Sequence, residues 1–299
     1  MQVTLFSPAK VNLFLVVTGR RADGFHDLVS VVAPLDFGDE LVAEAGDRGQ
    51  RAEIRGQFRL VCDHPEVPVD GSNLVLRAAE AFAAATGWPI PVHFRLTKRI
   101  PPGAGLGGGS SNAVAALRAL NQLSGGLLAA SRLAEVAAKL GSDCALFLAD
   151  APVVMRGRGD RVEPLPAPAA TRLRGRRVLL FKPSFGISTP WAYQRMIARG
   201  GDYLPMGEAE NRLAAWVGGE ARAEELLANN MEPAAFEKYV ALPLLLEKLH
   251  REFGMKARMS GSGSACYTLL GDDQVSGPLV ALIRACWGPG AFVQEARLS

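Results

Sequence analysis

The sequence predicts an α+β chain of two domains, residues 1–163 and 164–299, and three observations carry that prediction. Residues 163 to 176 break all periodicity and place Pro164, Pro166 and Pro168 within five positions, the mark of a surface connection. Before this break, segments of period two alternate with helical ones. After it, the order strand, helices, strand, strand, helix, strand is that of a ferredoxin-like split βαβ unit with extra helices inserted.

Each element has its own warrant. Val11, Leu13, Leu15 and Val17 alternate with other residues, as do Val92, Phe94 and Leu96, so both segments read as half-buried antiparallel strands. Helices are expected over 73–86, capped by Ser72 and closed by Gly87; over 110–124, closed by Gly125; and over 131–140, closed by Gly141. In the second half a strand at 177–182 leads into helices that reach about residue 253. Pro243 opens the last of them and Gly254 ends it. Strands at 255–260 and 265–270, a helix at 276–286 and a strand at 291–297 complete the chain.

Composition excludes several classes. With 299 residues, 48% hydrophobic and 21% charged, the chain has the make-up of an ordinary globule and not of a disordered segment. A net charge of +3 is too small to suggest nucleic acid, and Arg172, Arg174, Arg176 and Arg177 read as a solvated turn. Cys62, Cys144, Cys266 and Cys286 form no Cys-x-x-Cys pair, and the four histidines are isolated, so metal-site spacing is absent and a reducing, cytoplasmic setting is expected. No apolar run approaches the roughly 18 residues of a membrane span, and the N-terminus enters a strand pattern without a signal region. The expected partner is a small molecule, with no nucleic acid and no membrane, and the expected state a monomer or weak homodimer.

Residues 101 to 112, Pro-Pro-Gly-Ala-Gly-Leu-Gly-Gly-Gly-Ser-Ser-Asn, open directly onto a helix. Gly103, Gly105, Gly107, Gly108 and Gly109 allow positive φ and a close backbone approach, and the helix start adds free N–H donors and a positive dipole end. That is a phosphate cradle. A dinucleotide fingerprint needs an acid about 20 residues on, and residues 113 to 134 contain none. A Walker A loop needs a lysine after its last glycine, where this chain has Ser110 and Ser111. A flexible linker would not run into an apolar helix spaced Ala113, Leu117, Leu120.

Other segments leave alternatives open. Ser260-Gly261-Ser262-Gly263-Ser264, between two apolar strands, reads as a plain hairpin or as a small-residue turn that approaches a phosphate. In Ser7-Pro8-Ala9-Lys10-Val11-Asn12-Leu13 the period of two puts Lys10 and Asn12 on one face. Lys10 is an edge or solvent-facing lysine, or a catalytic cation with an acidic partner. Asp143 can be that partner, or simply a helix-capping acid. Asp23-Gly24-Phe25-His26 is a turn with or without a recognition role.

Taken together, Pro8 to Leu15 with Thr18 to His26, the loop at 101–112 and Arg258 to Ala265 resemble the GHMP kinases, and within them the branch acting on a cytidine diphosphate-linked methylerythritol. The resemblance implies a two-domain GHMP kinase fold, the N-terminal part like ribosomal protein S5 domain 2 and the C-terminal part ferredoxin-like. It implies transfer of the γ-phosphoryl group of ATP, with Mg²⁺, to the 2-hydroxyl of 4-diphosphocytidyl-2-C-methyl-D-erythritol, in non-mevalonate isoprenoid precursor synthesis. By motif position Lys10 and Asp143 are catalytic. Asn73, Lys98, Gly103, Ala104, Gly105, Leu106, Gly107, Gly108, Gly109, Ser110, Ser111 and Asn112 bind ATP, with Ser110 also at the metal. Asn12, Phe25, His26, Thr189 and Tyr193 bind the acceptor, Phe25 and Tyr193 enclosing the cytosine, and Gly261, Ser262 and Gly263 form a phosphate-side loop. Three positions depart from the pattern: Phe25 stands where tyrosine is common, Pro102 replaces methionine, and Asn230 takes the place of an aspartate, which leaves its role open. The alternatives are another GHMP small-molecule kinase, for mevalonate, homoserine or a sugar, and a catalytically silent nucleotide-binding regulator.

Overall fold

A computed structural model describes residues 1–46 and 58–299. They form two compact units, each discontinuous along the chain: one from residues 1–9, 37–102 and 107–149, the other from 10–36, 103–106 and 150–299. Strands β1 (Gln2–Arg20) and β2 (His26–Ala45) contribute to both.

The first unit adds β3 (Phe58–Cys62), α1 (Leu74–Thr86), β4 (Val92–Thr97), α2 (Gly108–Leu123) and α3 (Ala130–Leu140). Its β4 alternates buried and exposed as the pattern predicts, running antiparallel to Glu40–Ala45 of β2 and parallel to β3. Helix α1 packs on α2 and α3, and Phe82, Phe94, Ile100, Leu117 and Leu120 are fully enclosed. The N-cap of α1 is Asn73 and not Ser72: its side chain accepts from the Val75 N–H at 2.9 Å, while Ser72 turns to Asp70. Either residue suits the position by type, and the hydrogen bond decides.

The second unit contains β5 (Val153–Gly157), β6 (Arg161–Pro164), α4 (Ala167–Leu173), β7 (Arg177–Lys182), α5 (Thr189–Ala198), α6 (Met206–Gly218), α7 (Ala223–Leu226), β8 (Ala228–Asn229), α8 (Glu232–Phe236), α9 (Ala241–Phe253), β9 (Ala257–Met259), β10 (Cys266–Leu270), α10 (Gly277–Trp287) and β11 (Phe292–Arg297). An antiparallel sheet in the order β11-β7-β10-β9 makes the expected split βαβ topology. The proline-rich break is less irregular than its sequence suggests. It holds the end of β6 and the short α4, whose first turn accepts Pro168 because the missing N–H would be unpaired there anyway. Pro243 likewise lies in the first turn of α9, which begins two residues earlier, at Ala241.

The largest departure is β1. Residues 9 to 17 are buried on both faces, not one, and β1 takes a parallel partner through Phe14↔Ala228 and Leu15↔Asn229. A strand enclosed on both sides reads as a near-continuous apolar run, and only Lys10 and Asn12 interrupt this one.

Burial also sets a pH dependence. Desolvation raises the Glu232 carboxyl from its ordinary 4.5 to about 7, against the Arg258 charge and the Met259 N–H, which favour the ionised form. A folded-state value above the unfolded one contributes stability that is complete below about pH 4.5 and is lost as pH rises through about 7. Relative to wild type, Glu232→Gln should therefore gain on the order of 5 °C in Tm between pH 5 and pH 8. Calorimetric scans of both proteins at the two pH values check this. The same Tm difference at both would remove Glu232 as the cause.

Candidate active site

In the second unit, Lys10 and Asn12 meet as the period of two requires. Lys10 is 3% exposed, and its Nζ donates to Asn12 Oδ1 at 2.6 Å and to the Gly105 carbonyl at 2.8 Å. The edge reading of Lys10 is thereby removed. Asn12 passes the restraint on, since its Nδ2 donates to Ser30 Oγ at 2.9 Å and that hydroxyl donates to Phe14 O. Tyr267, enclosed under the strand, donates to Asn12 O at 2.8 Å. Asn12 thus orients the lysine.

The two glycine turns meet in the same unit. The Lys10 N–H donates to Leu106 O, the Ala265 N–H to Ala104 O, and Ser260 Oγ to Gly105 O at 3.1 Å. Gly105 has φ +77°, and a Cβ there would stand 2.3 Å from Ser260 O. The approach is backbone to backbone, so no side chain can move aside. Gly175 also has positive φ, +72°, but nothing lies within 4 Å of its added Cβ. Gly105→Ala should lower Tm well beyond Gly175→Ala, whose cost is the roughly 1–2 kcal/mol of left-handed strain. Equal melting shifts in thermal scans would show that the close approach carries no weight.

Of the residues expected at the acceptor, His26 and Tyr193 are brought together. His26, 7% exposed, stacks on Tyr193 with ring centroids 4.7 Å apart, and Tyr203 tilts against it at 5.9 Å. Phe25 is about half exposed, with the Arg158 guanidinium 5.3 Å above its ring. His26, expected to supply polar contacts, therefore also stacks on Tyr193. Burial, then the Arg20 charge, lowers the His26 pKa below its usual value and favours the neutral imidazole at neutral pH. Its buried Nε2 has no partner among the described residues, nor does the buried Thr18 hydroxyl, and a polar ligand would relieve both. Thr189 Oγ1 lies 2.7 Å from Ser262 Oγ, linking this region to the second glycine turn.

The first unit holds the other end of the loop. Helix α2 starts at Gly108 behind Gly107, whose φ is +75° and which has no side chain to cap the first turn, so the donors suited to an anion are left uncapped by side chains. Ser111 and Asn112 are buried and bonded inward. Ser7 Oγ donates to Ser111 Oγ, while Asn112 Nδ2 donates to Ser7 Oγ and to Asp39 Oδ2. Asp39 centres this cluster: it pairs with the Lys98 ammonium and accepts from the N–H groups of Arg99 and Ile100 at 2.7 and 2.8 Å. Lys98 and Asn112 are thus fixed by an acid that sequence reasoning missed. Asn73 is similarly engaged, capping α1 and donating to Pro68 O.

Asp143 occupies the bend between α3 and a 3-10 turn at Ala145–Leu148. Its neighbour Cys144 is buried. Desolvation, with a smaller contribution from the Asp143 charge, raises the Cys144 thiol to about 11, so it is no nucleophile. Asn230, whose role the sequence left open, bonds to Val17 through both amide atoms and to Asp202 O, holding β1 in place.

Known proteins resemble this chain throughout. It matches the GHMP kinases N terminal domain over residues 73–158 and the GHMP kinases C terminal domain over 213–279. It is 35% identical to a 4-diphosphocytidyl-2-C-methyl-D-erythritol kinase of Methylacidiphilum infernorum, over 98% of this chain and 95% of that one. It is 34% identical to the chloroplastic protein of the same name from Arabidopsis thaliana, over 88% and 66% of the two chains. A crystal structure of 4-(cytidine 5'-diphospho)-2C-methyl-D-erythritol kinase superposes with a TM-score of 0.76 at 32% identity, covering 99% of this chain and all of the other. Mevalonate kinase of Methanococcus jannaschii, at 11% identity and a TM-score of 0.71, covering 100% and 99%, shares the fold. On this evidence the chain belongs to the GHMP kinases, in the family of the 4-diphosphocytidyl-2-C-methyl-D-erythritol kinases.

Proposed function

We propose that this chain transfers the γ-phosphoryl group of ATP to the 2-hydroxyl of 4-diphosphocytidyl-2-C-methyl-D-erythritol, giving the 2-phosphate and ADP. The observation that carries the reading is Lys10, a buried ammonium tied to the glycine loop through Gly105 O and held on its other side by Asn12. A fixed, desolvated cation at a phosphate loop stabilises charge that develops during transfer, with no reorganisation needed at that moment.

The acceptor hydroxyl is tertiary, so it is hindered and only weakly acidic. It has to be aligned with the phosphorus and relieved of its proton. Asp143 is the proposed base. An ordinary carboxylate is too weak to take that proton from the resting alcohol, so the proton moves late, as the new O–P bond forms. Lys10 would offset charge that develops at the attacking oxygen and the transferred phosphoryl group. The uncapped first turn of α2 and the positive-φ glycines suit the phosphates of ATP. Stacking on Tyr193 and the free Nε2 of His26 suit a flat base with hydrogen-bonding edges. Gly261, Ser262 and Gly263 would close the phosphate side, and Thr189 would reach the acceptor.

No group of three or more His, Cys, Asp or Glu side chains able to hold a metal occurs among the described residues. That donor set fits Mg²⁺ held chiefly by nucleotide phosphates, with the Ser110 hydroxyl as a protein oxygen. When bound, the ion would neutralise phosphate charge. The reading takes the division at 163/164 as the domain boundary, and the protein as a cytoplasmic monomer or weak homodimer. No helix among the described residues is long and apolar enough to cross a membrane.

The test is a coupled ADP-release assay with four acceptors: the cytidine-linked polyol, free methylerythritol phosphate, mevalonate and homoserine. ADP should appear only with the first. Turnover of mevalonate or homoserine would move the chain to a sister activity, and silence with all four, with ATP bound, would make it a regulator.

A further inference from the structure

The segment Asn229-Asn230-Met231-Glu232 lies outside the loops assigned to nucleotide and acceptor, yet two of its buried side chains grip the entrance to the second glycine turn. Asn229 Nδ2 donates to Met259 O at 2.7 Å and to Gly261 O at 2.8 Å, and its Oδ1 accepts from the Met231 N–H at 3.0 Å. Glu232 Oε1 accepts from the Met259 N–H at 2.8 Å. One primary amide has two N–H donors, and both are spent on carbonyls that flank Ser260. The same Asn229 is paired in register with Leu15 of β1, the strand that carries Lys10.

What is gripped matters more than the number of bonds. A Cβ built on Gly261 would lie 3.4 Å from Lys10 Nζ, 3.4 Å from Asn12 Oδ1 and 3.2 Å from Gly105 O, so this turn abuts the lysine and the first glycine loop together. Inside the turn, Ser260 N–H bonds to Ala265 O and Gly263 N–H to Ser260 O. These bonds close the turn on itself and leave its placement to outside contacts. We propose that Asn229 and Glu232 are positioning residues that clamp the Gly261–Gly263 turn against Lys10 and the glycine loop for phosphoryl transfer. The inference rests on the kinase reading. It requires an amide at 229, because a carboxylate there would face two carbonyl oxygens with no proton to give.

Asn230 supplies the control. It sits in the same segment, and its side chain bonds to Val17 and to Asp202 O, away from the turn. Asn229→Ser should lose about 100-fold in kcat at saturating ATP and acceptor, the scale of a misplaced group, with each KM changed about 3-fold or less. Asn230→Ser should keep kcat within about 3-fold even where its Tm falls as far. Glu232→Ala should lose kcat and Glu232→Gln, which restores an acceptor for the Met259 N–H, should recover it; this pair decides the matter if Asn229→Ser does not fold. Amide hydrogen exchange on the whole protein should speed up at residues 260–264 in Asn229→Ser, whichever acceptor the enzyme uses. Unchanged exchange there, wild-type kcat in Asn229→Ser, or parallel losses in the 229 and 230 variants would overturn the clamp. Failure of wild type to phosphorylate the cytidine-linked acceptor would instead overturn the kinase reading, with the exchange result still judging the clamp.

Discussion

Asp143→Asn should bind ATP and acceptor with near-normal affinity and turn over at least about 100-fold more slowly, the lower end of the range for general acid–base catalysis reaching about 10⁴. The substitution is nearly isosteric and removes only the charge and the ability to take a proton. It also separates the two readings of the residue, because asparagine caps a helix about as well as aspartate does. A capping role therefore predicts an unchanged Tm and an unchanged rate, and a chemical role an unchanged Tm with the rate lost. Steady-state kinetics with a nucleotide titration make the measurement. Turnover near the wild-type rate would take Asp143 out of the mechanism.

Lys10→Met should cost about 10²–10³ in kcat, the scale of removing one preorganised donor from developing charge, with KM little altered. Methionine approximates the length of the stem and fits an apolar strand, so packing of β1 between its neighbours should survive. What is lost is the donor to Asn12 Oδ1 and Gly105 O, and with it the charge beside the loop. Asn12 would still be held by Ser30. A variant whose only defect is a raised KM would make Lys10 a binding group, and the proposed mechanism would then rest on Asp143 alone.

Much of this was legible in the residues. The period of two put Lys10 beside Asn12, the run of glycines into an apolar helix marked the loop before α2, and the order of elements gave the split βαβ sheet. Asp39 was not legible. It lies between Gly38 and Glu40 with no motif around it, and its partners Lys98 and Asn112 stand 59 and 73 positions away. Its one local signal, an acid in a strand, is shared by Asp27, Asp36, Glu40 and Glu44 of the same strand. The stack of His26 on Tyr193 was hidden for another reason. Adjacent residues in a turn follow no fixed face, so sequence gives two rings and not their order. The parallel pairing of β1 with the two-residue β8 involves a strand too short to register as any periodicity.

Strand β1 joins two regions of opposite character. Residues 9 to 17 are enclosed on both faces, while residues 21 to 25, at its far end, are all exposed and held by local bonds such as Phe25 N–H to Asp23 Oδ1. Replacing a residue in the enclosed stretch disturbs the core on two sides, whereas the exposed turn can be rewritten with little effect on its surroundings. In the proposed function, a change at exposed Phe25 would alter acceptor contacts without disturbing the enclosed stretch that carries Lys10.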